Sequence, residues 1–220
     1  MKSDLNRLRA MALGFGLGSA LFALGTVLVW LSGSEVTVNV TFALGAAFFT
    51  AAAFIQWRTA VAHAPPPPAG FWQRIGANLA NPDWASAVIQ FLGTLYFNVM
   101  TVRALAQALG NATISDHGVW HPDYVGSVLF LIASWVAWHP IARERRGRLL
   151  HGRAKWITGA NMLGSIFFGI SAWGAEPMAD DSIQSVAASN WGTFLGALAF
   201  LTAASLSWPF RARRGSAALT

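Results

Sequence analysis

Long apolar stretches alternate with short polar ones along the whole chain. Six of them, at 10–31, 36–57, 84–108, 119–141, 154–174 and 187–208, are rich in Leu, Val, Ala, Phe and Gly and nearly free of charge. A helix crossing about 30 Å of hydrocarbon takes roughly 20 residues, and each stretch is that long. The pattern predicts an all-α integral membrane bundle of six transmembrane helices, arranged as three hairpin repeats over about 10–57, 84–141 and 154–208 of a single membrane domain, 1–220. Lys2, Arg7 and Arg9 precede the first stretch as they would a signal peptide. The run Ala10–Leu31 is too long for a cleavable segment, however, and Ser32–Gly33–Ser34–Glu35 is a poor cleavage site, so the first helix is expected to be retained.

The longest connection, 58–83, contains Pro65–Pro66–Pro67–Pro68, which favours a stiff polyproline II spacer. Beyond it, Phe71, Trp72, Ile75 and Leu79 recur at helical spacing, as in a short helix lying in the cytoplasmic interface. Asn81–Pro82–Asp83 ends that helix, and Asp83 is expected to cap the next span.

Charge supplies the orientation. Basic residues occupy the N-terminal tail, the 58–83 connection (Arg58, Arg74), the 142–155 connection (Arg143 through Lys155) and the C-terminal tail (Arg211, Arg213, Arg214). The alternate connections carry Glu35, Asp116, Asp123, Glu176, Asp180 and Asp181 and no Lys or Arg. The positive-inside rule then puts both termini in the cytoplasm. Trp30, Trp120, Trp173 and Trp191 fall at one expected boundary and Trp57, Trp84, Trp138, Trp156 and Trp208 at the other, as aromatic belts require. The net charge of +6 is thereby explained by basic loops facing anionic lipid headgroups, and no nucleic-acid partner is expected. With no Cys, thiolate metal sites and nucleophilic Cys chemistry are excluded.

Every span repeats one motif, Gly–small–x–x–Phe: Gly18 with Phe22, Gly45 with Phe49, Gly93 with Phe97, Gly126 with Phe130, Gly164 with Phe168 and Gly196 with Phe200. Four residues beyond each Phe stands another small residue: Thr26, Ala53, Thr101, Ser134, Ala172 or Ala204. Residues at i, i+4 and i+8 share a helix face. In lipid, association relies on close backbone approach and van der Waals contact, so the stripe reads as a packing face whose Gly leaves a notch for a neighbouring Phe. Because the Gly stands at a similar distance from the start of each span, the two helices of a hairpin are expected to be related by a pseudo-two-fold axis in the membrane plane. Such inverted repeats occur in transporters, and also follow from duplication of a simple packing unit.

The paired pattern Leu17–Gly18–Ser19…Phe22 and Leu44–Gly45–Ala46…Phe49 resembles the YrhK-like domain, a two-helix membrane module. Gln90–Phe91–Leu92–Gly93–Thr94…Phe97–Asn98 and Asn161–Met162–Leu163–Gly164–Ser165 are similar to stretches of bacterial multi-span proteins built from such modules. The resemblance implies a hairpin-repeat fold in the bacterial cytoplasmic (inner) membrane. It implies no activity and lends no catalytic residues.

Polar residues inside a span are the functional candidates. Arg103, near the outer end of the third span, either snorkels, pairs with Asp116, Asp123 or Glu176, or binds a substrate. The third span also carries Gln90, Asn98 and Thr101, which makes it the candidate to line a cavity; Asn161 and Asn190 are the other amides. No Walker loop, dinucleotide fingerprint, His–Glu–x–x–His or nucleophile elbow is present, so no enzyme, cofactor or metal site is expected. Two functions lead, ahead of a membrane enzyme that has only Arg103 and the outer carboxylates behind it. One is a structural or accessory membrane protein, as a homo-oligomer or beside a membrane-protein partner. The other is a small transporter or channel with a polar path beside the third helix.

Overall fold

The computed structural model describes residues 2–63, 70–111, 113–143, 150–180 and 182–209. These residues are almost entirely helical: α1 (Lys2–Trp30), α2 (Glu35–His63), α3 (Phe71–Ala80), α4 (Pro82–Ala108), α5 (Asp116–Arg143), α6 (Leu150–Gly174) and α7 (Val186–Ser207). Four of them, α1, α2, α4 and α7, are long and apolar enough to cross a membrane. Among the described residues helix α3 touches α4 alone of the helices. The tetraproline segment, Arg145, Arg146, Arg148, Asp181 and the C-terminal basic residues lie outside the described residues.

The hairpins form for local reasons. α1 ends in a Schellman turn, with Gly33 N donating to Leu28 O at 2.8 Å, Ser32 N to Val29 O at 3.1 Å and Ser32 at φ 55°. α4 ends the same way, through Asn111 N to Ala106 O at 3.0 Å, with Gly110 taking the left-handed position at φ 92°. The second helix of each hairpin then opens on a serine cap. Ser34 Oγ accepts from Thr37 N, Ser115 Oγ from Gly118 N and Ser185 Oγ from Ala188 N, at 3.1 to 3.2 Å. These serines stand at one fixed distance ahead of Gly45, Gly126 and Gly196, so the repeat includes its own cap. One expected cap is corrected: α4 is capped by Asn81, whose Oδ1 accepts from Asp83 N at 3.0 Å and Trp84 N at 3.3 Å. Asp83 lies inside the first turn, because Pro82 takes the first helical position, where its missing N–H costs nothing.

Packing closes the six long helices into a ring in the order α1, α2, α4, α5, α6, α7 and back to α1. Contact is most extensive within the pairs α1–α2, α4–α5 and α6–α7. The interior is filled by Phe22, Phe49, Phe97, Phe130, Phe168 and Phe200, each 2 to 4 % exposed. They form two triangles. Phe22, Phe97 and Phe168, from the first helices of the hairpins, have ring centroids 5.7 to 6.4 Å apart. Phe49, Phe130 and Phe200, from the second helices, lie 5.8 to 6.4 Å apart. Hairpin partners join the triangles edge to face at 5.0 to 5.6 Å.

The glycines make this possible. A methyl group built on Gly18 would lie 2.7 Å from Phe49, on Gly45 2.8 Å from Phe22, on Gly93 2.7 Å from Phe130 and on Gly164 2.9 Å from Phe200. Gly196 is as tightly covered by Phe168, and Gly126 meets the Gly93 carbonyl at 3.1 Å. The notch is therefore filled by the phenylalanine of the hairpin partner, reciprocally. Gly174, at the C-terminal end of α6, is also closely packed. A Cβ there would meet Ser189 N at 2.5 Å and Ser185 O at 2.8 Å, because the α6–α7 turn folds back across it.

Candidate functional site

Cavities lie on the bundle axis on both sides of the phenylalanine hexad. One, of about 300 Å³, opens at the end carrying the three hairpin turns, and its floor is Phe22, Phe97 and Phe168. Two adjoining ones, of about 130 and 470 Å³, lie at the end carrying the N-terminus and α3, with Phe200 bounding the smaller. A single register of the repeat lines both ends. Three residues before the repeat glycine stand Phe15, Gln90 and Asn161, which face the terminal-end cavity. Their counterparts on the second helices are Phe42, Asp123 and Thr193, which face the turn-end cavity. The first hairpin thus places an aromatic residue where the other two place polar ones.

The candidates on α4 separate. Gln90 lines the terminal-end cavity together with Asn161 of α6. Asn98 turns away from both cavities: its Nδ2 donates to Thr50 Oγ1 of α2 and to Thr94 O at 2.8 Å. Thr50 in turn donates to Ala46 O at 3.0 Å, so the α2–α4 seam is held by a half-buried amide–hydroxyl pair. Thr101 is buried and donates back to Phe97 O at 2.9 Å, satisfying its hydroxyl within its own helix. Arg103 is exposed on the bundle's outer surface, with Nη1 donating to Gly118 O at 2.7 Å, and it lines neither cavity. Asn190, half-buried near the start of α7, lines neither as well.

Hydroxyls perform the same stitching across α5–α6 and α6–α7. Ser134 and Ser165 share a hydrogen bond of 2.7 Å across α5–α6, and Ser171 and Thr193 one of 2.6 Å across α6–α7. Trp120 Nε1 donates to Ala172 O at 2.8 Å. The α1–α7 seam is closed at its turn end by aromatic contact instead, Trp30 lying 4.8 Å from Trp191 and 5.0 Å from Phe194.

Two polar residues of the interior escape a reading by hydropathy. Asp123, counted above with the acidic connections, lies within α5 and faces the turn-end cavity. Gln56 of α2 lines the terminal-end cavities, and its Oε1 is buried without a partner among the described residues. The signal for Asp123 was its register, since it stands as far before Gly126 as Gln90 does before Gly93. Among the described residues no group of three or more His, Cys, Asp or Glu is placed to hold a metal ion. Comparison with known proteins returned no similarity: no family model, no curated protein and no solved structure matches the chain.

Proposed function

We propose that the chain is a six-span protein of the bacterial cytoplasmic membrane, made of three YrhK-like hairpins with both termini cytoplasmic, and that it serves as a non-catalytic structural or accessory subunit of a membrane assembly. The hairpin-turn end then faces outward, and the basic terminal end meets anionic headgroups. Support for six spans comes from the lipid-compatible outer face shared by all the long helices. Leu163, Ile166 and Ile170 of α6 and Ile132 and Trp135 of α5 are exposed, as are Leu13, Leu17 and Leu24 of α1. A contiguous apolar belt of this kind is rare on a soluble monomer.

The observation that carries the accessory reading is the hexad. Six interlocked phenylalanines close the axis between the cavities, and Asn98 and Arg103 of α4 are used in helix–helix contact and on the surface. Reconstituted in proteoliposomes, the protein is expected to give no solute flux above protein-free vesicles. Flux of any tested ion or small solute that falls on Gln90→Ala or Asp123→Ala would overturn the reading. The second reading, a small transporter, is favoured by one feature: cavities related by an inverted repeat approach the midplane from opposite ends. In that case exchange of the two cavities requires the phenylalanine triangles to part, and Phe97→Ala with Phe130→Ala should raise flux.

A further inference from the structure

We infer that the turn-end cavity is a binding site for a small alkylammonium cation, held by the Asp123 carboxylate against aromatic walls. Four observations converge on that chemistry. The cavity, at about 300 Å³, has the size of a small-ligand pocket. Its one uncommitted charge is Asp123, which makes no hydrogen bond or ion pair among the described residues. Asp116, the other carboxylate on the lining, already accepts from Gln107 Nε2 at 2.6 Å, and no Lys, Arg or His lines the space. The walls are Phe22, Phe42, Phe97, Phe168 and Trp120, whose ring faces attract cations but coordinate no metal.

A divalent cation and an anion are both wrong occupants. A divalent cation needs several oxygen ligands at short range, and one free carboxylate in a chamber of this volume does not supply them. An anion would face Asp123 with no basic partner. A neutral apolar ligand would leave a half-buried carboxylate without a counter-charge, which is costly in a low-dielectric interior. An alkylammonium group removes that cost and uses both the carboxylate and the rings. The same group occurs on a free amine and on a choline or ethanolamine lipid headgroup. The inference goes beyond the accessory reading and does not depend on it, since binding in detergent requires neither orientation nor flux.

The test is calorimetry on the purified full chain in maltoside detergent, with tetramethylammonium and tetraethylammonium chloride as probes and sodium chloride at equal ionic strength as the reference. Saturable binding of either probe is expected. Asp123→Asn should weaken it by roughly tenfold or more, Asp123→Glu should retain it within a few-fold, and Phe42→Leu should weaken it severalfold while keeping the charge. Asp83→Asn, at the other end of the bundle, should leave it unchanged. Competition by lysophosphatidylcholine but not by choline chloride would assign the site to a headgroup, and the reverse to a free solute. Absence of saturable binding to the unmodified chain, or binding to Asp123→Asn within about twofold of it, would overturn the inference. If Asp123→Asn does not fold, equal affinity in the Phe42→Leu variant overturns it instead.

Discussion

Replacing Gly93 by alanine tests the central packing device with a single methyl group. Built on the backbone as it stands, that methyl lies 2.7 Å from Phe130 Cδ1, 2.9 Å from Cε1 and 3.2 Å from the Gly126 carbonyl oxygen. Carbon–carbon contacts are comfortable at ~3.5–4.0 Å, so one of the two must retreat by most of an ångström. Phe130 has nowhere to go: it is 2 % exposed and lies 5.0 Å from Phe97, 5.8 Å from Phe200 and 6.5 Å from Phe168. The strain therefore falls on the α4–α5 crossing. Overpacking of this kind costs about 1–3 kcal/mol, and the upper part of that range applies because the clash is with a confined ring and a backbone atom. The better helix propensity of alanine returns up to about 1 kcal/mol. A net loss of about 1–2 kcal/mol remains.

Gly16→Ala, on the face of α1 turned to α7, is the control. Its methyl would meet Ala204 and Leu201 at 4.0 Å, which is ordinary contact, so stability should be unchanged or slightly improved. The assay is reversible unfolding in mixed detergent micelles, followed by circular dichroism. A Phe130→Leu background removes part of the ring that the new methyl strikes, and Gly93→Ala should cost less there, with a coupling of at least about 0.5 kcal/mol. Equal stability of Gly93→Ala and Gly16→Ala, or strict additivity with Phe130→Leu, would refute the reciprocal-notch account.

Asn98→Ala and Thr50→Val should each lower stability by roughly 0.6–2 kcal/mol through loss of the α2–α4 pair, and the double variant should cost little more than either alone. Arg103→Ala should change unfolding by no more than about 0.5 kcal/mol, since its bond to Gly118 O is exposed to competing solvent; a larger loss would point to a partner for the guanidinium. Because the chain has no Cys, single cysteines report topology cleanly. Cysteine at Ser182 should react with an impermeant maleimide in intact cells, and cysteine at Gly152 only after permeabilisation; the reverse result would invert the proposed orientation. Asp180 accepts from the Ser182 hydroxyl at 2.6 Å and its N–H at 3.2 Å, and these bonds hold the carboxyl below its ordinary value of 3.8. A depressed carboxyl supports its turn above that value and loses the support as pH falls through the depressed one. Hydrogen exchange at Ser182 N should accordingly rise, relative to the intrinsic rate, only in strongly acidic solution, and Ser182→Ala should move that rise to higher pH.

The repeat was legible because its determinants are local. Apolar runs of helical length, Schellman turns at Ser32 and Gly110 and serine caps at Ser34, Ser115 and Ser185 each depend on a few adjacent residues. The apolar stretches of helical length and the small–Phe–small stripe are therefore written along the chain. Which way each remaining face turns is not. In lipid an outward leucine and an inward phenylalanine are almost equally apolar, so hydropathy does not say which neighbours a helix takes. Ring closure of α7 on α1, the division of six phenylalanines into two triangles and the turning of Asn98 toward Thr50 depend on that choice. So does the fate of the charges. Arg103, which by its position near a span end could snorkel, pair or bind a substrate, ends on the surface, whereas Asp123, placed beside an acidic loop, faces the cavity above the hexad. The chain by itself determined that six similar apolar stretches each carry one small–Phe–small stripe. Only their closure around a common axis decided which of the positions one turn before each notch would face the interior.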